Sequence, residues 1–158
     1  KGEDLGIRPF GSRAMRSMSL EKGFGSWATE YRPIYGPFAA GMGRFVSLNK
    51  RDFIGRESAV LEKEQGPEKT LVTFTVDVAD CDVMGNEPVY QDGEIVGYVT
   101  SGMYAHYVDQ SVALGYVPTG LANNTGGGAF SIEIMGDMRP ATIVPKALFD
   151  PDSSRMRG

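Results

Sequence analysis

RAMRSMSLEKGFGSWATEYRPIYGPFAAGMGRFVSLNKRDFIGRE, residues Arg13–Glu57, is the stretch whose reading decides the fold. It joins a short helix, an aromatic and charged loop, a glycine-rich apolar turn and the start of a second helix. So much apolar and aromatic surface in an irregular segment needs another face to lie against. Ser12 is placed to cap the first helix, whose apolar positions are Ala14, Met15, Met18 and Leu20. Gly23 stops it, and Lys22 sits in the last turn, where a cation suits the helix dipole.

Phe24, Trp27, Tyr31 and Tyr35 follow, spaced by Gly25, Pro33, Gly36 and Pro37, with Glu30 and Arg32 among them. Rings beside a carboxylate and a guanidinium suit a flat heterocycle, which is stacked on its face and hydrogen-bonded at its edge. The same rings also suit the plainer task of anchoring a long loop to a core, and composition does not separate the two. Gly41 and Gly43 form a Gly-x-Gly without the following glycine and helix of a dinucleotide site, so that reading is rejected. A second helix is expected from Gly55 to Glu64, with Ala59, Val60 and Leu61 inward and Glu57, Glu62, Lys63 and Glu64 outward. Gln65-Gly66-Pro67 ends it and marks a boundary.

Upstream, Gly2, Gly6, Pro9 and Gly11 make residues 1–11 a connecting segment. Downstream of Pro67 the period changes to two. Val72, Phe74, Val76 and Val78 alternate with polar residues as a half-buried strand. Asp92-Gly93 between Val89–Gln91 and Glu94–Val96 signals a hairpin whose second arm continues to Thr100, and Ser101-Gly102 is expected to turn the chain. Ser111–Val117 is nearly all apolar with Gly115 inside it, which suits a central strand with a close neighbour. Residues 123–128 read as a flexible tip, Phe130–Ile134 as a strand, Gly136-Asp137 as a turn and Ala141–Val144 as the last strand. From Asp150 onward a charged, frayed tail is expected. Short strands at this spacing predict an α+β chain: a helix-and-loop part over 1–66, a small antiparallel β-barrel or sandwich over 67–150 and a tail over 151–158.

The bulk numbers exclude several classes of function. The 158 residues carry a formal net charge of −4, with no general attraction for nucleic acid. No apolar run approaches the roughly 20 residues of a membrane span. One cysteine, Cys81, and one histidine, His106, do not make a zinc or iron–sulfur site, and a lone cysteine fits a reducing compartment. Cys81 between Asp80 and Asp82 should have a raised pKa, against a reactive thiolate. Asp77, Asp80 and Asp82 lack the later glutamate of a calcium loop. His106, in the turn-rich Met103–Tyr107, reads as a packing or surface residue rather than a base, and Glu62/Glu64 as a solvated helix face. With Lys1-Gly2-Glu3-Asp4 at its start, the chain is read as a piece of a longer protein.

Several segments, in order, resemble the folate-binding aminomethyltransferase (glycine cleavage T-protein) family, in particular the C-terminal region of dimethylglycine and sarcosine dehydrogenases. They are Ser17-Met18-Ser19-Leu20-Glu21-Lys22-Gly23-Phe24, then Trp27, Ala40-Gly41-Met42-Gly43, Leu48-Asn49-Lys50 and Asp52-Phe53-Ile54-Gly55-Arg56-Glu57. Gly97-Tyr98-Val99-Thr100-Ser101-Gly102 and Val112-Ala113-Leu114-Gly115-Tyr116-Val117 match pieces of the family's barrel. Ser19 stands where the family carries an arginine, and Arg16 lies one turn earlier. Phe53 stands where the folate-binding iron–sulfur repair branch has a cysteine, so that branch is set aside.

The resemblance implies a tetrahydrofolate cleft that captures one-carbon units from N-methyl amines, with an upstream FAD domain that this chain does not contain. It places the catalytic aspartate and the pterin-binding glutamate upstream as well, leaving no catalytic residue here and an inactive fragment when alone. Trp27, Arg16 and Glu30 are the expected cofactor contacts. The missing N-terminal part is the expected partner, self-association is open, and the expected compartment is the cytoplasm, or the mitochondrial matrix in a eukaryote. A stand-alone aminomethyltransferase or demethylase, and a non-catalytic docking module of the same fold, remain alternatives.

Overall fold

The computed structural model describes residues 1–127 and 129–158; of the expected 123–128 tip, Gly128 lies outside the described residues. Helix α1 spans Ser12–Glu21 and α2 Arg56–Gln65. Six strands follow: β1 Lys69–Val76, β2 Pro88–Gln91, β3 Glu94–Ala105, β4 Gln110–Pro118, β5 Phe130–Ile134 and β6 Asp137–Val144. A single helical turn, α3, covers Ser154–Arg157. The strands close an antiparallel barrel in the order β1-β4-β3-β2-β5-β6, with β6 returning to β1. Among the described residues no helix is long and apolar enough to cross a membrane.

The period-two pattern of β1 sends Phe74 and Val76 into the barrel. There they meet Val83, Val89, Val99, Ala113, Phe130, Ile132 and Ile143. Phe74 and Phe130 touch edge to face, with centroids 5.6 Å apart. Strand β4 is nearly all apolar for a further reason. Ala113 and Val117 join the interior, while Val112 and Leu114 join a second cluster under α1 with Leu20, Met103 and Ala105. A strand covered on both faces has no polar side to alternate with. Its Gly115 permits close approach, since a Cβ there would stand 2.7 Å from the Tyr98 carbonyl oxygen; at Gly97 on β3 a Cβ would lie 2.0 Å from that of Tyr116.

The Asp92-Gly93 hairpin forms as the sequence signals, with φ of 52° and 85° at the two turn residues. The chain does not turn at Ser101-Gly102. β3 runs straight through to Ala105, with a bulge between Val99 and Ser101, and reverses over 106–109 instead. Gly102 is there because Val83 packs against it, so a Cβ would meet the Val83 Cγ1 at 2.5 Å. The last hairpin turns at Met135-Gly136, one residue earlier than expected, and β6 begins at Asp137 and carries Pro140 in its ladder.

α1 has Gly11 rather than Ser12 at its N-cap and ends as expected, with Gly23 at φ 68° and the Phe24 amide donating to the Ser19 carbonyl. Its inward face differs from the expected one. Met15 and Met18 are half exposed, and Leu20 is buried beside Ser17 and Glu21. Those two polar residues are inside because they satisfy the end of β3. Ser17 Oγ donates to the Tyr104 carbonyl at 3.0 Å, and Glu21 Oε1 accepts the Tyr107 amide at 2.7 Å.

On α2, Ala59 is buried, Val60 is half-buried and Leu61 is exposed, so the expected inward face is only partly realised. Glu62 is half-buried rather than on a solvated face: its carboxylate accepts the Ala39 amide at 2.9 Å and the Phe38 amide at 3.4 Å. The Ala39 carbonyl in turn accepts the Leu71 amide at 2.9 Å, covering the part of β1 that β6 does not reach. The tail is not simply frayed either. Lys22 Nζ pairs with Asp150 at 3.0 Å, the two side chains 9% and 2% exposed, and Phe149 donates its amide to the Glu21 carbonyl.

Candidate functional site

The segment leaving α1 is built around one buried carboxylate. Gly25 has no room for a side chain, because a Cβ would stand 2.7 Å from the Glu30 Cβ, and its amide donates to the Tyr31 hydroxyl at 3.0 Å. The amides of Glu30 and Tyr31 both donate back to the Ser26 carbonyl at 3.0 Å. Glu30 itself is 1% exposed. Its Oε2 accepts the Ser26 amide at 2.6 Å and the Thr29 hydroxyl at 2.5 Å. Oε1 has no hydrogen-bond partner among the described residues.

Burial pushes the Glu30 carboxyl up, but the Ser26 amide and the hydroxyls of Thr100, Thr29 and Ser101 together hold it below the ordinary glutamate range. It is therefore an anion at neutral pH, held by neutral donors. The turn is fastened to the barrel at two points: Ser101 Oγ donates to Thr29 Oγ1 at 3.2 Å, and the Tyr116 hydroxyl donates to the Glu30 carbonyl at 2.9 Å.

The four rings of this loop divide between the two tasks that composition leaves open. Tyr35 lies flat on Tyr116, with centroids 3.6 Å apart and planes 13° off parallel, and its hydroxyl meets that of Tyr98. Burial and the Tyr98 hydroxyl push Tyr35 up, and burial pushes Tyr116 up, so both stay neutral phenols. Tyr31 braces Gly25. Trp27, by contrast, is 76% exposed at the crest of the turn, and Phe24 is also exposed.

Of the three residues expected to contact a cofactor, Trp27 and Arg16 point outward and Glu30 inward. The outward indole suits one wall of a site for a flat heterocycle. The inward carboxylate does not present an edge to such a ring, because Glu30 is almost wholly enclosed and its Oε2 is taken by its own turn. Arg16 is exposed on α1, and Ser19, where the resemblance has an arginine, folds its hydroxyl back onto the Met15 carbonyl at 2.9 Å. Thr29, Ser101 and Tyr116 hold Glu30 and its turn in place; the sequence marks Ser101 and Tyr116 only as parts of barrel motifs, not as partners of this loop. Ser101 and Tyr116 are 72 and 86 residues from their partners, and no local pattern marks such a contact.

The remaining candidates are structural. Asp80 pairs with Arg139 at 3.1 Å and Asp82 with Arg13 at 3.4 Å, and among the described residues no group of three or more side chains gathers to hold a metal. Burial, then Asp80, pushes the Cys81 thiol up, as its neighbours suggest. His106 is exposed, its ring edge-on to Tyr104. Further along the irregular segment, the Arg56 guanidinium donates twice to the Leu48 carbonyl, joining two of the motifs quoted above.

Residues 69–150 match the glycine cleavage T-protein C-terminal barrel domain, and residues 1–50 match the GCVT N-terminal domain. The chain belongs to the glycine cleavage T-protein family. Among its relatives, the mitochondrial dimethylglycine dehydrogenase of Mus musculus is 37% identical over 99% of this chain, and the chain spans 18% of that protein's length. An aminomethyltransferase of Parasynechococcus marenigrum is 34% identical over 92% of this chain, which spans 39% of it. The crystal structure of glycine cleavage system aminomethyltransferase T from Bartonella henselae superposes with a TM-score of 0.77 over 86% of this chain and 38% of that one. At 21% identity that likeness speaks for the fold.

Proposed function

We propose that this T-protein-family chain is the C-terminal portion of the folate-dependent half of a flavin-linked dehydrogenase of the dimethylglycine or sarcosine type. The observation that carries the reading is the 37% identity that runs through essentially the whole chain, irregular segment included, to a dimethylglycine dehydrogenase. In this reading residues 1–66 are the closing edge of a folate-binding domain, 67–150 the barrel that backs it, and 151–158 a tail. The matches at 1–50 and 69–150 support that division.

Tetrahydrofolate, when bound, takes up the one-carbon unit released from an N-methyl amine. Trp27 offers a ring face to the pterin, and Arg16 offers a cation to an anionic part of the ligand. Glu30 belongs to the same site by holding the loop. The FAD that oxidises the amine, and the acid–base groups of the transfer, lie in the upstream part of the parent protein. This chain alone therefore does not catalyse the transfer. The parent's compartment would be the mitochondrial matrix in a eukaryote and the cytoplasm otherwise. Exposed Leu5, Ile7, Phe10, Phe45 and Ile54 are then the surface left for that upstream part, and self-association through them is expected when it is absent.

The second reading, a stand-alone aminomethyltransferase, draws on the 34% identity to one. The upstream reading frame separates the two: a flavin-binding domain supports the first, a folate domain with nothing before it the second. The function itself is tested by titrating tetrahydrofolate against the fluorescence of Trp27, the sole tryptophan, in the protein extended by its upstream sequence. Saturable quenching is expected there, and weak or no binding by residues 1–158 alone. Absence of quenching in the extended protein removes Trp27 from the site, and micromolar binding by the short chain refutes the half-cleft.

A further inference from the structure

We infer that Glu30 is a positioning residue. Its carboxylate closes the Ser26–Glu30 turn into a rigid clip that presents the Trp27 indole to a flat ligand, without touching that ligand itself. The ligand's identity rests on the proposal above; the clip does not.

The geometry points this way from both sides of the turn. The carboxylate is almost wholly enclosed and its Oε2 is occupied by the Ser26 amide and the Thr29 hydroxyl, the residues immediately flanking the crest. Its own carbonyl holds Tyr116 on β4, and Thr29 holds Ser101 beside the β3 bulge. At the loop's base Gly25 is pinned by Tyr31. The turn's own ties close it on itself, and the two that leave it run inward to central barrel strands, while the indole they support is 76% exposed. Nothing in this arrangement serves to bury the indole. A large apolar ring held still in the open gains affinity for a stacking partner, because its ordering cost is met before the ligand arrives. The bulge, which adds Thr100 to β3 between Val99 and Ser101, lets the two adjacent hydroxyls serve different partners, Thr100 donating to the Leu114 carbonyl and Ser101 to Thr29 of the turn.

Two substitutions separate positioning from direct contact. Glu30→Gln keeps an acceptor oxygen for Ser26 and Thr29 and removes the charge; Glu30→Ala removes both. In ligand-free protein, the steady-state anisotropy of Trp27 should fall in Glu30→Ala and stay near wild type in Glu30→Gln. In the upstream-extended protein, tetrahydrofolate binding should weaken about tenfold in Glu30→Ala, the scale of one large side chain's ordering cost, and less than about threefold in Glu30→Gln. If Glu30→Gln loses as much affinity as Glu30→Ala with anisotropy unchanged, the carboxylate touches the ligand and the inference is wrong. Unchanged anisotropy in a folded Glu30→Ala also overturns it. Should Glu30→Ala not fold, Thr29→Val with Ser101→Ala loosens the same clip from the β3 side, and unchanged anisotropy in that pair refutes the inference equally. The clip survives, and the folate reading fails, if anisotropy responds as stated while tetrahydrofolate binds no variant.

Discussion

Replacing Leu20 by alanine is the sharpest test of how the irregular third of the chain is held. Leu20 is 3% exposed and is the one α1 side chain in the apolar cluster formed with Met103, Ala105, Val112 and Leu114, with Leu71, Val108 and Leu148 around it. Each carbon removed beyond Cβ forfeits about 0.8 kcal/mol of transfer free energy, about 2.4 kcal/mol together. The vacancy adds more, because the strand beneath is fixed by its ladder and does not collapse into it. About 3 kcal/mol is expected, inside the roughly 2–5 kcal/mol usual for buried leucine truncations, or about 6–12 °C in Tm for a chain of this size. Met15→Ala and Met18→Ala, on the half-exposed face, should stay within about 0.5 kcal/mol. The assay is urea unfolding followed both by far-UV circular dichroism and by Trp27 fluorescence. Loss of α1 docking should move the tryptophan transition to lower urea ahead of the barrel's. A Leu20→Ala cost below about 1 kcal/mol, or a Met18→Ala cost equal to it, refutes the docking of α1 described here.

Three further outcomes follow from single contacts. Asp150, held by Lys22 and the groups of residues 154–155, has its carboxyl lowered to about 2 despite an opposing push from burial. A depressed acid stabilises the fold above its unfolded value of about 3.9 and loses that contribution as pH falls toward about 2. The stability gap between wild type and Asp150→Asn, measured by urea titration across that range, should therefore be constant near neutrality and shrink below about pH 4; a gap independent of pH would discount the ion pair. Glu62→Ala strands the amides of Phe38 and buried Ala39 and should cost about 1–3 kcal/mol, against less than about 0.5 kcal/mol for exposed Glu64→Ala. Gly97→Ala, placing a Cβ 2.0 Å from the Tyr116 carbonyl oxygen, should cost at least about 3 kcal/mol by forcing β3 and β4 apart, read by thermal melting; a near-neutral result would mean that the strands cross less closely.

The barrel was legible because its information is local. A two-residue Asp-Gly turn, a period of two and one strand apolar on both faces are patterns within a few residues of each other, and each became a strand or turn where expected. What failed there failed for tertiary reasons. Ser101-Gly102 has the composition of a turn, yet its glycine is needed to admit Val83, and a serine beside it is needed by Thr29 on another segment. A sequence window sees the small residues but not what they make room for.

In the first third the order of motifs identified the family, whereas periodicity misjudged the contacts. The helix that looks amphipathic through its methionines is docked through Leu20 and two polar residues, because the surface it meets is not purely apolar. It is a strand end with an exposed carbonyl and amides to satisfy, and serine and glutamate supply that where methionine does not. The same logic turns Glu62 and Glu30 inward. Glu30 sits in a segment without regular backbone pairing and Glu62 reaches into one from α2, and each takes up amides that no strand or helix would otherwise engage. Irregular backbone has to be satisfied by side chains, so charged residues in such a segment are as much its scaffold as its chemistry. Trp27, the most exposed ring of this loop and without a hydrogen bond among the described residues, is not explained by scaffolding.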